Sequence, residues 1–243
     1  MTPNPATHAE WARELKSLLG LTVPPMAIAF GDRPPDGVPR YRAKVPAPTP
    51  DGRTAPVAAS CVYWMKGTEV AFHTVAEDHG NCSVGGLTHG FKTLAEAAQG
   101  ADVAALVASE WVAAEAFPGI PTVKGNPRCV TYAPLVSSPI VPDVVFLRIQ
   151  GKQAMMLHDA WPALRFEGKP QCHIIAIAKE LGQVAVSVGC MLSRVRTGMA
   201  NADVTCAIPV QVMPELIARL RAAVEADTKV AAYAAADAKR FAG

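Results

Sequence analysis

The sequence has no block of like charge. Its 23 Lys and Arg residues and 21 Asp and Glu residues are scattered along 243 positions and leave a formal net charge of +2. Proteins that bind a nucleic-acid backbone concentrate basic residues in a stripe or a patch. We therefore expect no nucleic-acid partner.

A targeting signal and a long apolar run are also missing. The amino terminus, MTPNPATHAEWARELKSLLG, has no cationic segment followed by an apolar stretch and a small-residue cleavage site. The Ala-rich stretch 101–117 carries Asp102, Glu110 and Glu115, so it does not read as a membrane span. These absences predict a cytoplasmic protein without a membrane partner.

Common catalytic and cofactor motifs are absent as well. No GxSxG, GxGxxG or GxxxxGK[ST] occurs, so hydrolase, dinucleotide-binding and P-loop functions lack their usual anchors. None of the six cysteines forms a CxxC, which excludes a zinc ribbon, a ferredoxin-type run and a thioredoxin-like pair. Since disulfides are rare in the cytoplasm, metal binding, catalysis or burial has to account for these cysteines.

Helical and strand patterns alternate along the chain, which is typical of a mixed α and β protein. We predict an amphipathic amino-terminal helix that starts at a Thr7–Glu10 capping box and a carboxyl-terminal helix from Pro214. Further helices are predicted over 57–66, 93–99, 102–117, 151–161 and 172–180, and strands over 26–30, 69–74, 142–150 and 183–188. The fold class is α+β, a mixed sheet with helices in a single domain over residues 1–243.

A weak internal symmetry divides the chain into halves at 1–125 and 126–243. Each half contains a cysteine, a glycine that ends a helix, a strand and a second cysteine. The landmarks are Cys61, Gly67 and Cys82 in the first half and Cys172, Gly182 and Cys190 in the second. If the halves are a diverged duplication, both cysteine pairs meet at the interface between them.

The stretch HGNCSVGGLTHGF (79–91) combines Cys82 with two histidines and four glycines. Thiolates are soft ligands for zinc or iron–sulfur clusters, and glycine lets backbone amides approach the sulfur atoms. Gly85, Gly86 and Gly189 are the glycines that we expect to supply such amides. Cys61, Cys82 and Cys190 are the candidate ligands, Cys172 is an intermediate case, and Cys129 and Cys206 are predicted to be simply buried.

Several segments together resemble the DUF169 family of uncharacterised prokaryotic proteins, over nearly the whole chain. They are LKSLLGLTVPPMAIAF (15–30), SCVYWMKGTEVAFHTVAEDHGNCSVGGLTHGF (60–91), PDVVFLRIQGKQAMML (142–157) and QVAVSVGCMLSR (183–194). The resemblance implies a site shared by Cys61, Cys82 and Cys190, with Cys172 as a candidate fourth member. It implies no particular activity.

The leading hypothesis is a 4Fe-4S protein that uses an open cluster iron as a Lewis acid on a small polar or anionic substrate, in a lyase, hydratase or desulfurase reaction. His79 or His89 would be the acid or base, and Arg194 would orient the anion of the substrate. Arg194 and Arg196 both follow Cys190 closely, and an arginine there could also offset cluster charge. With Cys172 as a fourth ligand the cluster would be closed and suited to electron transfer, as in an oxidoreductase.

Three alternatives stay open: a zinc-stabilised binding module, a metal-free one, and an enzyme with Cys82 as nucleophile beside His79 or His89. The sequence also allows a homo-oligomer.

Overall fold

A sheet of seven strands lies between two layers of helices. The structure, a computed structural model, describes residues 5–41, 50 and 60–241. The strands are β1 (Met26–Gly31), β2 (Phe72–Val75), β3 (Cys129–Pro134), β4 (Val144–Ile149), β5 (Arg165–Glu167), β6 (Ala185–Ser187) and β7 (Val204–Pro209). The predicted α+β class with a mixed sheet is confirmed.

The strands are ordered β2-β3-β1-β4-β7-β6-β5 across the sheet. Neighbours are antiparallel, except that β5 runs parallel to β6. Met26 lies opposite Pro134 of β3 on one side and Phe146 of β4 on the other, so β1 is a central strand. The sheet is continuous through both proposed halves of the chain.

The helices occupy both faces of the sheet. They are α1 (Pro5–Leu19), α2 (Ser60–Lys66), α3 (Ser83–Thr88), α4 (Leu94–Ala98), α5 (Ala101–Ala108), α6 (Gly151–Ala160), α7 (His173–Leu181), α8 (Met191–Thr197) and α9 (Met213–Ala238). Short 3₁₀ helices lie at Ala76–His79, Ala114–Gly119, Leu135–Ser137 and Val210–Val212. No helix in the described part of the chain is both long enough and apolar enough to cross a bilayer.

Alternation along the strands builds two separate apolar cores. Val145 and Leu147 of β4 pack in one core with residues of α1, α6 and α9. Val144 and Phe146 point to the opposite face and pack with residues of α2 and α7, because successive strand side chains face opposite ways. The second face carries the candidate site.

Most predicted elements are present with shifted ends. The capping box at Thr93 and Glu96 is confirmed by reciprocal hydrogen bonds. The amino-terminal helix begins at Pro5, before the cap predicted at Thr7. Residues 57–59 of the predicted helix over 57–66 lie outside the described residues, and α2 is observed from Ser60.

The prediction of one helix over 102–117 is wrong. The α5 helix ends at Ala108, and a 3₁₀ helix occupies Ala114–Gly119. Glu110 between them has a φ of 56°, which lies outside the right-handed helical region. A residue in the left-handed region interrupts the helical hydrogen-bond ladder, so the helix does not continue through Glu110.

Candidate functional site

Cys61, Cys82, Cys172 and Cys190 line one cavity of about 50 Å³ on the second face of the sheet. That volume has room for only a few water molecules. Its other walls are formed by Ser60, Trp64, Val84, Gly85, Leu106, Trp111, Val112, Phe117, Ile120, Lys169, Pro170, Gln171, Leu192, Ser193 and Arg196. Among these lining residues there is no Asp, Glu or His.

Each of the four cysteines lies where a helix begins. Cys61 is the second residue of α2, and Cys82, Cys172 and Cys190 directly precede α3, α7 and α8. The α2 helix packs against α8, and α3 packs against α7. Four chain segments that are distant in sequence thereby bring their thiols to a common space.

Two of the three glycines predicted to approach the sulfur atoms lie beside cavity cysteines. The Gly85 N–H donates to Cys82 Sγ at 3.3 Å, and a Cβ at Gly85 would lie 2.9 Å from Ser60 Oγ. Gly189 has a φ of 110° and precedes Cys190, whose N–H donates to Gln171 Oε1 at 3.1 Å. A Cβ at Gly86, in contrast, would meet the side chain of Lys92.

Burial keeps the thiols of Cys61, Cys82 and Cys172 protonated when no metal is bound. It raises the pKa of Cys61 to about 11, and it also raises the pKa of Cys82 and sets that of Cys172 well above the ordinary range. The neighbouring thiols add to these increases, because one thiolate disfavours another close by. A metal centre would therefore have to displace protons on binding.

The thiols surround a cavity and do not meet at a point. Among the residues that the structure describes, no three His, Cys, Asp or Glu side chains form a group that could hold a metal ion. Tetrahedral zinc, with Zn–S distances of about 2.3 Å, would need its sulfur ligands within about 4 Å of one another. Among the described residues, the four thiols therefore do not form a site for a single ion.

The predicted histidines lie behind the cavity wall. His79 and His89 are buried, and their ring centroids are 5.5 Å apart. Burial lowers the pKa of His89 to about 4 and that of His79 well below its ordinary value, so both rings are neutral at pH 7. Neither ring is hydrogen-bonded to Cys82 in the described part of the chain, so the arrangement lacks the thiol–imidazole pair of a cysteine nucleophile.

His79 nevertheless reaches the cavity through Ser60. Its Nδ1 lies 2.7 Å from Ser60 Oγ, and its Nε2 lies 2.8 Å from Thr74 Oγ1. A neutral imidazole has one donor and one acceptor nitrogen, so one hydroxyl donates to the ring and the other accepts from it. Ser60 lines the cavity, which makes this chain a polar connection between the cavity and a buried ring.

The two arginines of α8 have different positions. Arg194 donates to the carbonyl oxygens of Val188 at 2.7 Å and Asp203 at 2.9 Å, and it is not among the lining residues of the cavity. Arg196 lines the cavity, and its Nη1 is buried with no hydrogen-bond partner among the residues described. The available guanidinium at the site is therefore that of Arg196.

A comparison with known protein families covers the part of the chain that contains these four cysteines. The model of the DUF169 family, described as uncharacterised ArCR, matches residues 14–219, a range that contains all of the cavity residues. The chain belongs to the DUF169 family. Searches against curated proteins and against solved structures found no match.

Sequence reasoning about this DUF169 protein overlooked Ser60, Gln171 and the rim of the cavity. At the rim, Lys169 Nζ donates to the Trp111 carbonyl and lies 3.9 Å from the centroid of that indole. Ser60 directly precedes Cys61, and Gln171 directly precedes Cys172. Adjacency to a candidate ligand was the signal that could have identified both.

Proposed function

We propose that this DUF169 protein binds an iron–sulfur cluster, of the 4Fe-4S type, through Cys61, Cys82, Cys172 and Cys190. The observation that carries the proposal is that thiols from four helix starts line one cavity. Cysteine thiolates are the usual ligands of such clusters, and hydrogen bonds to sulfur, such as that from Gly85, stabilise them.

The position of Cys172 favours a closed cluster and electron transfer. Its thiol lines the same cavity as the other three, so each iron of a four-iron cluster would have a protein ligand. When bound, a closed cluster supplies one-electron transfer, with a potential that depends on burial and hydrogen bonding.

Anaerobic purification tests the proposal directly. The protein should be brown, with a broad absorption near ~400 nm and about four iron and four sulfide per chain. Colourless protein that contains one zinc per chain and no sulfide would instead support the zinc-stabilised module.

Single Cys→Ala variants count the ligands. Replacing Cys61, Cys82, Cys172 or Cys190 should lower the iron content and the absorption, because each substitution removes one thiolate. Cys129→Ala is the matched control, since Cys129 is buried in β3, away from the cavity, and its thiol donates to the Gly31 carbonyl. An equal iron content in all five variants would contradict the assignment of these cysteines as ligands.

A catalytic open cluster is the second candidate, and the Ser60–His79 pair favours it. A hydroxyl on the cavity wall, 2.7 Å from a buried neutral imidazole, can pass a proton between the cavity and the ring. In this case Cys172→Ala retains a full complement of iron, because Cys172 is not a ligand. In the closed form the same variant loses iron or changes the type of cluster.

A further inference from the structure

Arg196 is a cation without an anion at the wall of the cavity. Its Nη1 is buried and has no hydrogen-bond partner among the described residues. The lining residues include no carboxylate that could pair with it. Arg196 as a residue is half-buried, but a buried guanidinium nitrogen without a partner loses its hydration and gains nothing in exchange, which favours the binding of an anionic group there.

A comparison with the neighbouring Arg194 shows how the environment of Arg196 differs. Arg194, two residues earlier on α8, is bonded to backbone carbonyls of the loops around Val188 and Asp203. These bonds tie α8 to the neighbouring loops. Within the described part of the chain no equivalent bond is observed for Arg196 Nη1, which is available to whatever occupies the cavity.

The thiols themselves do not supply the missing charge while they carry protons. Arg196 is close enough to interact electrostatically with Cys61 and Cys82, two of the four cysteines that line the cavity. Four thiolates that bind a metal centre would place negative charge in front of Arg196.

On the basis of the proposed function, we propose that Arg196 supplies the compensating positive charge for the thiolate-ligated centre and raises its reduction potential. Reduction adds one electron from an external donor and makes the centre more negative by one charge. A fixed cation nearby stabilises the reduced form more than the oxidised form. Arg196 is therefore a positioning and tuning residue, which acts on the potential of the centre.

The test is an anaerobic redox titration with dithionite of the iron-loaded wild type, Arg196→Gln, Arg196→Lys and Arg219→Gln. Arg219→Gln is the matched control, because it removes the same charge from an exposed position on α9, across the sheet from the cavity. We expect Arg196→Gln to have a more negative potential than the wild type and Arg196→Lys to remain close to it.

Each other outcome has a definite meaning. Empty Arg196→Gln with fully loaded Arg196→Lys also supports the proposal, because the charge is then needed to hold the thiolates. A fully loaded Arg196→Gln whose potential equals that of Arg219→Gln overturns it, and so does loss of iron from both Arg196 variants, which indicates a purely structural role. A wild type without iron would contradict the proposed function itself.

Discussion

Cys61 is the residue whose environment gives the most quantitative expectation. In the metal-free protein its pKa is about 11, against an ordinary value of 9.0. Between pH 9 and 11 the unfolded chain releases this proton while the folded chain retains it, so the free energy of unfolding falls as the pH rises. A difference of about two pKa units corresponds to a loss of about 2–3 kcal/mol over this window.

Denaturant unfolding of the metal-free wild type and of Cys61→Ser at several pH values measures this effect. The serine variant lacks the titrating thiol, so its stability should decline less steeply above pH 9. Other alkaline titrations occur in both proteins and cancel in the difference. Parallel curves for the two proteins would show that the Cys61 thiol is not shifted.

Ser60 should matter to stability even without a metal. Ser60→Ala leaves one ring nitrogen of the buried His79 without a partner. An unsatisfied buried polar group costs about 1–3 kcal/mol, and we expect a loss of that size in denaturant unfolding. Ser109→Ala, at an exposed position on the surface, is the control, and an equal loss in both variants would argue against the contact.

The chemical role of single residues was more predictable from the sequence than the direction in which their side chains point. Cys61, Cys82 and Cys190 were predicted as candidate ligands from residue type, from glycines beside two of them and from the family resemblance, with Cys172 as an intermediate case, and all four line the cavity. The sequence favoured Arg194 over Arg196, but two residues on a helix point about 200° apart, so only one can face a given cavity. Because α8 was not predicted, nothing in the sequence analysis set the phase of that helix.

Among the helices, α3 is held in place by hydrogen bonds to α5, and Cys82 directly precedes α3. The Ser83 N–H donates to Asp102 Oδ2 at 2.8 Å, and Ser83 Oγ donates to Oδ1 at 2.7 Å. Asp102→Ala should therefore lower the free energy of unfolding by about 1.5–3 kcal/mol, as expected for hydrogen bonds to a charged group. It should also shorten the lifetime of any cluster, because Cys82 precedes the loosened helix.

Asp159→Ala, exposed on α6, controls for the loss of an acidic side chain and should change stability by less than about 0.5 kcal/mol. Chemical denaturation and the decay of absorption near ~400 nm provide the two measurements. If Asp102→Ala has the same free energy of unfolding as the wild type, the α3 helix does not depend on the hydrogen bonds between Ser83 and Asp102.

The same contact explains why α3 was not predicted. Its six residues, SVGGLT, include two glycines, and glycine is a poor helix former. The helix exists because Cys82 and Ser83 satisfy its first turn together with Asp102, nineteen positions further along the chain. The local sequence pattern around α3 could not predict this helix, because the carboxylate that stabilises it lies far along the chain. The three-residue strand β5 was likewise too short to leave a pattern.

For the whole molecule, the class of the fold was predictable and the order of its strands was not. Alternation of strand and helix patterns indicated a mixed sheet. However, β1 pairs with β3 about a hundred residues later, as in the pair Gly31 and Cys129, and such pairing is decided by packing across the entire chain. The cavity depends on that order, since the sheet carries the α2, α7 and α8 segments on one face.

The carboxyl-terminal end of the molecule offers a test at this scale. In α9, Leu216, Ile217 and Leu220 are buried, whereas residues 228–236 are exposed. A chain that ends at Asp227 should therefore unfold within about 1 kcal/mol of the full-length protein, because surface contacts contribute little. Leu220→Ala should cost about 2–5 kcal/mol, since it leaves a void in the core.

Thermal or denaturant unfolding compares the two variants. If the shortened chain is destabilised as much as Leu220→Ala, the exposed end of α9 is covered in solution, and the dependence of stability on protein concentration would show whether a second copy covers it.

Two of the four tryptophans, Trp64 and Trp111, form part of the cavity wall, whereas Trp11 and Trp161 belong to the opposite core. The ultraviolet emission of the protein consequently has one component that senses the interior of the cavity and another that does not. Filling or emptying this space should change the emission of Trp64 and Trp111 more than that of Trp11 and Trp161. Tryptophan fluorescence can therefore follow the loading of the cavity in real time, without an added dye.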